Sequence, residues 1–166
     1  WLAFGAVDSG SARLLAAQAG TLLTFGIRPI RAATGYGYIL AGDETVPGVR
    51  AIRDFVEKPD EETAKRYLKD GRYRWNSGMF AWRASVVGEG LDRHLPHVMR
   101  ALRRVAAAGS PGTDGFAHAL EEGYRSLDSI SIDYALLEKA DNVAVIDADF
   151  EWNDVGHWVA MRELWP

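Results

Sequence analysis

Four short polar clusters interrupt an otherwise apolar and aromatic chain: Gly35-Tyr36-Gly37, Glu57-Lys58, Asn76-Ser77-Gly78 and Asp154-Val155-Gly156. Each carries groups that recognise hydroxyls or phosphates. Glycines let a ligand approach the backbone closely and expose N–H and C=O groups to it. The Glu57 carboxylate accepts hydrogen bonds from hydroxyls, and the Lys58 ammonium neutralises a phosphate as a point charge. Asn76 holds both a donor and an acceptor, suited to vicinal hydroxyls, and Gly78 leaves room beside it. Asp154 is a carboxylate at a strand exit, placed to bind Mg²⁺ together with substrate phosphates. A purely structural reading stands beside each of these. The glycines also suit a relieved edge or bulge, and Glu57-Lys58 a solvated strand end whose adjacent residues face opposite ways. Asn76 also suits a bulge or an Asx turn, and Asp154 an N-cap.

The elements that position these clusters follow from periodicity. Residues 11–19 read as a helix with Gly20 past its end, and "TLLTFGI" as a short buried strand. "TGYGYILAGDE" and "VRAIRDFVEKP" read as a β-hairpin turning at Gly42-Asp43, with Glu57, Lys58 and Pro59 at its end. "PDEETAKRYLKDG" is a helix opened by Pro59 and Asp60 and stopped by Gly71, acidic at its start and basic near its end. Residues 74–86 read as the next strand. Helical material from "ASVVGEGL" onward, starting at Ala84 and broken before Pro96, overlaps its end, then come a loop at 109–115 and the helix "FAHALEEGYRSL". "SIDYALLEKA" is a further helix capped by Ser131, "NVAVIDAD" a buried strand, "FEWNDVGHW" a polar interruption and "HWVAMRELW" a last helix. Strands alternating with helices give one α/β domain over residues 1–166, with a mixed, mostly parallel sheet flanked by helices. Clusters at strand ends of such a sheet converge on one crevice.

Composition narrows the partners. Of 166 residues, 48% are hydrophobic and 25% charged, which suits a folded chain with a core. A net charge of −4 argues against a nucleic-acid partner and leaves a small phosphorylated ligand open. Cysteine is absent, so neither disulfides nor thiolate metal sites arise, and a reducing cytoplasm is the default setting. No apolar run approaches the ~20 residues that span a bilayer. The first residues, "WLAFGAVDSG", begin with Trp and lack a basic flank, so the chain reads as a cytoplasmic piece of something longer. His94, His97, His118 and His157 show no metal-ligand spacing and read as structural or solvent-facing.

Taken in order, "TFGIRPIRAATGYGYI", "FVEKP", "YRWNSGMFAWRAS", "SISIDYALLEK" and "EWNDVGHW" resemble the later part of the catalytic domain of bacterial mannose-1-phosphate guanylyltransferases, the GDP-mannose pyrophosphorylases. The resemblance runs from about residue 11 to the end. It implies a Rossmann-like nucleotide-diphospho-sugar transferase fold, in which mannose 1-phosphate attacks the α-phosphorus of GTP and pyrophosphate leaves. Such chemistry rests on positioning and on charge neutralisation by Mg²⁺ and basic groups.

Carried over position by position, the resemblance implies that Gly35, Tyr36 and Gly37 present backbone to the sugar nucleotide. Glu57 and Asn76, with Ser77 and Gly78, would hold mannose hydroxyls. Lys58 would face the sugar phosphate as a catalytic group, and Asp154 would bind Mg²⁺. Ser131 and Asp133 would shape the same cleft. The chain departs from the family where Ala33 replaces an acidic residue and where Asn153 and His157 replace serines. The family's Gly-rich nucleotide loop and first metal-binding aspartate have no counterpart here, so the sheet is expected to lack its N-terminal part. The chain is then expected to be inactive alone, and to need a homo-oligomer or its missing half to cover an open edge. Two alternatives remain: a non-catalytic sugar-nucleotide-binding or regulatory module, and a nucleotidyltransferase for another sugar or nucleotide.

Overall fold

A computed structural model describes residues 20–148 and 150–155. The helices expected at 11–19 and over "HWVAMRELW", together with Gly156 and His157, lie outside the described residues. Contacts divide the chain into two compact units, one of residues up to Ala81 with those from Asn142 on, the other of Trp82–Asp141.

The first unit is built on five strands: β1 (Leu22–Ile27), β2 (Tyr38–Val46), β3 (Val49–Val56), β4 (Tyr73–Ala81) and β5 (Val143–Asp147). They pair in the order β1-β4-β2-β3-β5, and β5 returns to β1, so the sheet closes on itself. Here the expectation of a mostly parallel sheet needs correcting. Among the described residues only β1 and β5 run parallel, and the other four pairings are antiparallel. The cause is the position of β4. It inserts between β1 and β2, whose directions agree, and so replaces one parallel neighbour with two antiparallel ones. The mixed α/β character itself holds.

β1 is buried along nearly its whole length, as a strand covered on both faces must be, with Leu22 and Thr24 wholly inaccessible. One core cluster gathers Ile27, Ala33, Tyr38, Ala64 and Trp75, and a second Leu23, Val49 and Ala144. The hairpin turns at Pro47-Gly48 rather than at Gly42-Asp43. Gly48 takes the left-handed conformation there (φ 79°), and its N–H donates to Glu44 Oε1 at 2.7 Å. Gly42 instead lies inside β2 where the register shifts, and a Cβ on it would stand 2.8 Å from Arg53 Cγ.

Helix α1 (Glu61–Asp70) follows its local signals. Asp60 Oδ1 accepts from Thr63 N–H at 2.7 Å, Glu61 and Glu62 face the positive end of the dipole, and Gly71 closes the helix with φ 76°. β4 ends at Ala81, inside the stretch 74–86 read as a strand, and the helical material expected from Ala84 begins at Ala84.

The second unit contains α2 (Ala84–His94), α3 (Pro96–Ala107) and α4 (Asp114–Arg125), with α2 against α3 and α3 against α4. Pro96 sits in the first turn of α3, where its missing N–H costs nothing. The segment expected as a ten-residue helix from Ser131 is a π-helical turn, Asp133–Leu137. Ser131 does serve its start, with Oγ accepting from Tyr134 N–H at 3.5 Å. The turn buries Ala135, Leu136 and Leu137.

Candidate functional site

The site grows from an irregularity in β4. Gly26 pairs with Asn76 and Thr24 with Phe80, so two steps along β1 oppose four along β4. The surplus is a bulge at Ser77-Gly78, with Gly78 left-handed at φ 70°. The bulge turns on Asn76. Its Oδ1 accepts from Thr24 Oγ1 at 2.8 Å and from Gly78 N–H at 3.3 Å, while Ser77 Oγ accepts from Met79 N–H at 3.2 Å. The Asx turn read as an alternative from sequence is therefore present, and it fixes the Asn76 amide in a buried position.

Two further motifs meet there. Asn76 N–H donates to Gly37 O at 2.8 Å. A Cβ on Gly37 would collide with Glu57 Oε2 and lie 3.3 Å from Asn76 Cβ. Gly37 thus adjoins both Glu57 and Asn76, distant from it in sequence, where β2 begins, β3 ends and β4 bulges. Gly35 is different, since a Cβ there would meet nothing within 4 Å.

Glu57 and Lys58 do not face opposite ways. β3 ends at Val56, and Lys58 has φ 48°, the one non-glycine residue with positive φ among those described. That conformation costs about 1–2 kcal/mol and brings Lys58 Nζ to 3.6 Å from Glu57 Oε1. The Glu57 side chain is 10% exposed and that of Lys58 59%, so the carboxylate is held inside and the ammonium stands in solvent.

An aromatic wall borders the cluster. Tyr36 lies edge-on to Trp75 (5.1 Å between centroids) and to Trp152 (5.2 Å). The Arg31 guanidinium lies 5.7 Å from the Tyr36 ring and 5.8 Å from that of Trp75. Trp75 and Trp152 line a cleft of about 830 Å³ with Ile27, Arg28, Phe150 and Asn153. Through Trp152 the last polar motif reaches this wall, and Asp154, two residues on, is exposed. Ser131 and Asp133 belong to the second unit. His94, His97 and His118 lie on helices of that unit, His118 Nε2 being 3.7 Å from Glu122 Oε1. Sequence reasoning missed Thr24, Arg31, Trp75 and Trp152. All four lie inside the motifs that carry the family resemblance, but none breaks its local pattern, so nothing marked them individually.

Among the described residues no group of three or more His, Cys, Asp or Glu could cage a metal ion. The carboxylate of Asp154 fits a hard cation that takes its remaining ligands from water and phosphate.

A concave site where polar groups converge beside an apolar wall is the kind of place in which proteins hold small ligands. The chain matches the nucleotidyl transferase family model over residues 11–165, and it belongs to that family. It is 45% identical over 147 residues to a mannose-1-phosphate guanylyltransferase of Sinorhizobium fredii, covering 89% of this chain and 28% of that protein. With one of Escherichia coli it is 38% identical over 152 residues, covering 89% and 32%. A crystal structure described as a mannose-1-phosphate geranyltransferase from Thermus thermophilus superimposes with a TM-score of 0.78 at 40% identity, covering 91% of this chain and 42% of that one. The chain therefore spans about a third of the length of these curated relatives.

Proposed function

We infer that the chain is the sugar-binding part of a mannose-1-phosphate guanylyltransferase, which transfers GMP from GTP to mannose 1-phosphate and yields GDP-mannose and pyrophosphate. The observation that carries this reading is the meeting of Gly37, Glu57 and Asn76, three separated motifs that join in one buried polar corner. The relatives' names supply the sugar and the nucleotide.

In this reading the bare Gly37 backbone and the Glu57 carboxylate receive mannose hydroxyls, and Asn76 donates from an amide whose orientation Thr24 fixes. Lys58 meets the sugar phosphate, and its left-handed backbone is strain spent on keeping ammonium and carboxylate side by side. Tyr36, Trp75 and Trp152 form an apolar floor that excludes water from those hydrogen bonds. Mg²⁺, when held by Asp154 and the phosphates, supplies charge neutralisation for phosphoryl transfer. The Gly35 backbone and the Ser77-Gly78 bulge shape the sugar cleft. The enzyme works in the cytoplasm, with a homo-oligomer or the rest of the protein completing the nucleotide side.

Isothermal titration with GDP-mannose, with and without Mg²⁺, tests this for the chain and for Asp154→Ala and Glu57→Gln. The expected result is saturable binding, strengthened by Mg²⁺ only when Asp154 is present and lost in Glu57→Gln. Equal binding by all three forms overturns the assignment of the corner.

A further inference from the structure

A second polar hollow, of about 380 Å³, opens on the first unit where β2, β3 and the start of β4 run side by side. Four arginines line it, Arg50 and Arg53 from β3, Arg72 just before β4 and Arg74 within it, with Asp43 as the one carboxylate in the lining. None of Gly37, Glu57 and Asn76 lines this hollow, so it is not the sugar corner itself.

The carboxylates that pair with these arginines mostly stand outside the hollow. Asp70 grips Arg72 through both oxygens, at 2.6 and 2.7 Å. Asp147 accepts from Arg74 Nε at 2.7 Å and lies 3.8 Å from Arg50 Nε, and Glu44 Oε2 lies 3.8 Å from Arg50 Nη2. Arg74 Nη1 also donates to Gly71 O at 3.2 Å and Tyr73 O at 3.1 Å, and its side chain is 21% exposed. Arg72 and Arg74 are thus held in place from behind. Asp43, which accepts from Arg53 Nη2 at 2.8 Å, is 89% exposed and is held weakly by that surface pair. Arg74 takes Asp147 through Nε at 2.7 Å and Nη2 at 3.5 Å, the two-pronged contact by which a guanidinium holds an oxyanion.

We propose that this hollow is a binding site for a small phosphate or diphosphate group, taken up by Arg50, Arg53, Arg72 and Arg74 on displacement of Asp43. The ligand class is a free polyanion of metabolite size, since the hollow lies between strands and admits a phosphate or two. Guanidinia oriented before the ligand arrives lower the ordering cost of binding it.

Isothermal titration of inorganic pyrophosphate into the chain at low ionic strength without Mg²⁺ tests this. One saturable site is expected. Arg53→Gln/Arg72→Gln should weaken it tenfold or more, Asp43→Asn should tighten it about threefold, and Lys58→Gln should leave it unchanged. Because Asp43→Asn acts in the opposite direction, misfolding of the double variant cannot mimic the pattern. Absence of saturable binding, binding unchanged by the double variant, or loss in Lys58→Gln instead each overturns the proposal.

Discussion

The hydroxyl of Thr24, wholly inaccessible on β1, donates to Asn76 Oδ1 at 2.8 Å across the β4 bulge. This bond sets which end of the Asn76 amide turns toward the corner. Thr24→Val keeps the shape and deletes the donor, leaving a buried oxygen less satisfied at a cost of about 1–3 kcal/mol. A lower midpoint in urea unfolding, with weaker GDP-mannose binding measured below the transition, is the expected result. Unchanged affinity would show that the amide orientation is set elsewhere.

The two glycines of the TGYG motif separate cleanly. Gly37→Ala drives a methyl into Glu57 Oε2, whereas Gly35→Ala adds one to open space. GDP-mannose affinity is expected to fall tenfold or more in the first variant and to stay within twofold in the second. Equal effects in titration would mean that the steric argument fails.

Lys58 offers a test of strain against function. Lys58→Gly removes a left-handed penalty of about 1–2 kcal/mol while loosening the unfolded chain by about 0.5–1 kcal/mol, so stability should hold or rise slightly. Affinity for a phosphorylated sugar should fall nonetheless. Lys58→Ala keeps the strain and loses the charge, so it should match Lys58→Gly in binding and fall below it in thermal midpoint.

The pH profile of stability has two edges. Hydrogen bonds from Thr63, first from its N–H, hold the Asp60 carboxyl below its ordinary range. Its stabilisation is therefore present above about pH 4 and is lost as pH falls through the depressed folded value. On the alkaline side, burial pushes up the phenols of Tyr67 and Tyr73, which stack with centroids 3.8 Å apart. Their contribution is full below about pH 10 and fades as pH rises through the raised folded values. Asp60→Ala should lower the melting temperature by a few degrees at pH 7 and by less at pH 3. Tyr73→Phe should extend the alkaline limit.

Local signals were legible in the sequence and non-local ones were not. α1 reads directly, since Asp60, the acidic first turn and Gly71 act within a few residues. The hairpin was legible as a pair, but its turn was not, because Gly42-Asp43 and Pro47-Gly48 both carry turn chemistry and only cross-strand packing against Arg53 selects between them. The strand direction around β4 depends on β1 and β2 leaving a gap for it, which periodicity cannot express. In the site, Gly37, Glu57 and Asn76 announced themselves by breaking strand patterns. Thr24 looked like any strand threonine, and its role exists only through a partner 52 residues away.

The closed order of strands also bears on how the chain comes to be folded. β5 is the piece that bridges β1 and β3, and more than a hundred residues separate it from β1. On a ribosome, β1 to β4 emerge as an unfinished ring, while the contiguous Trp82–Asp141 unit can collapse through near neighbours before β5 exists. Closure is then the late, slow event. Until β5 has been made, the edge of β1 that it covers stays open, and that waiting interval is where chaperones would act.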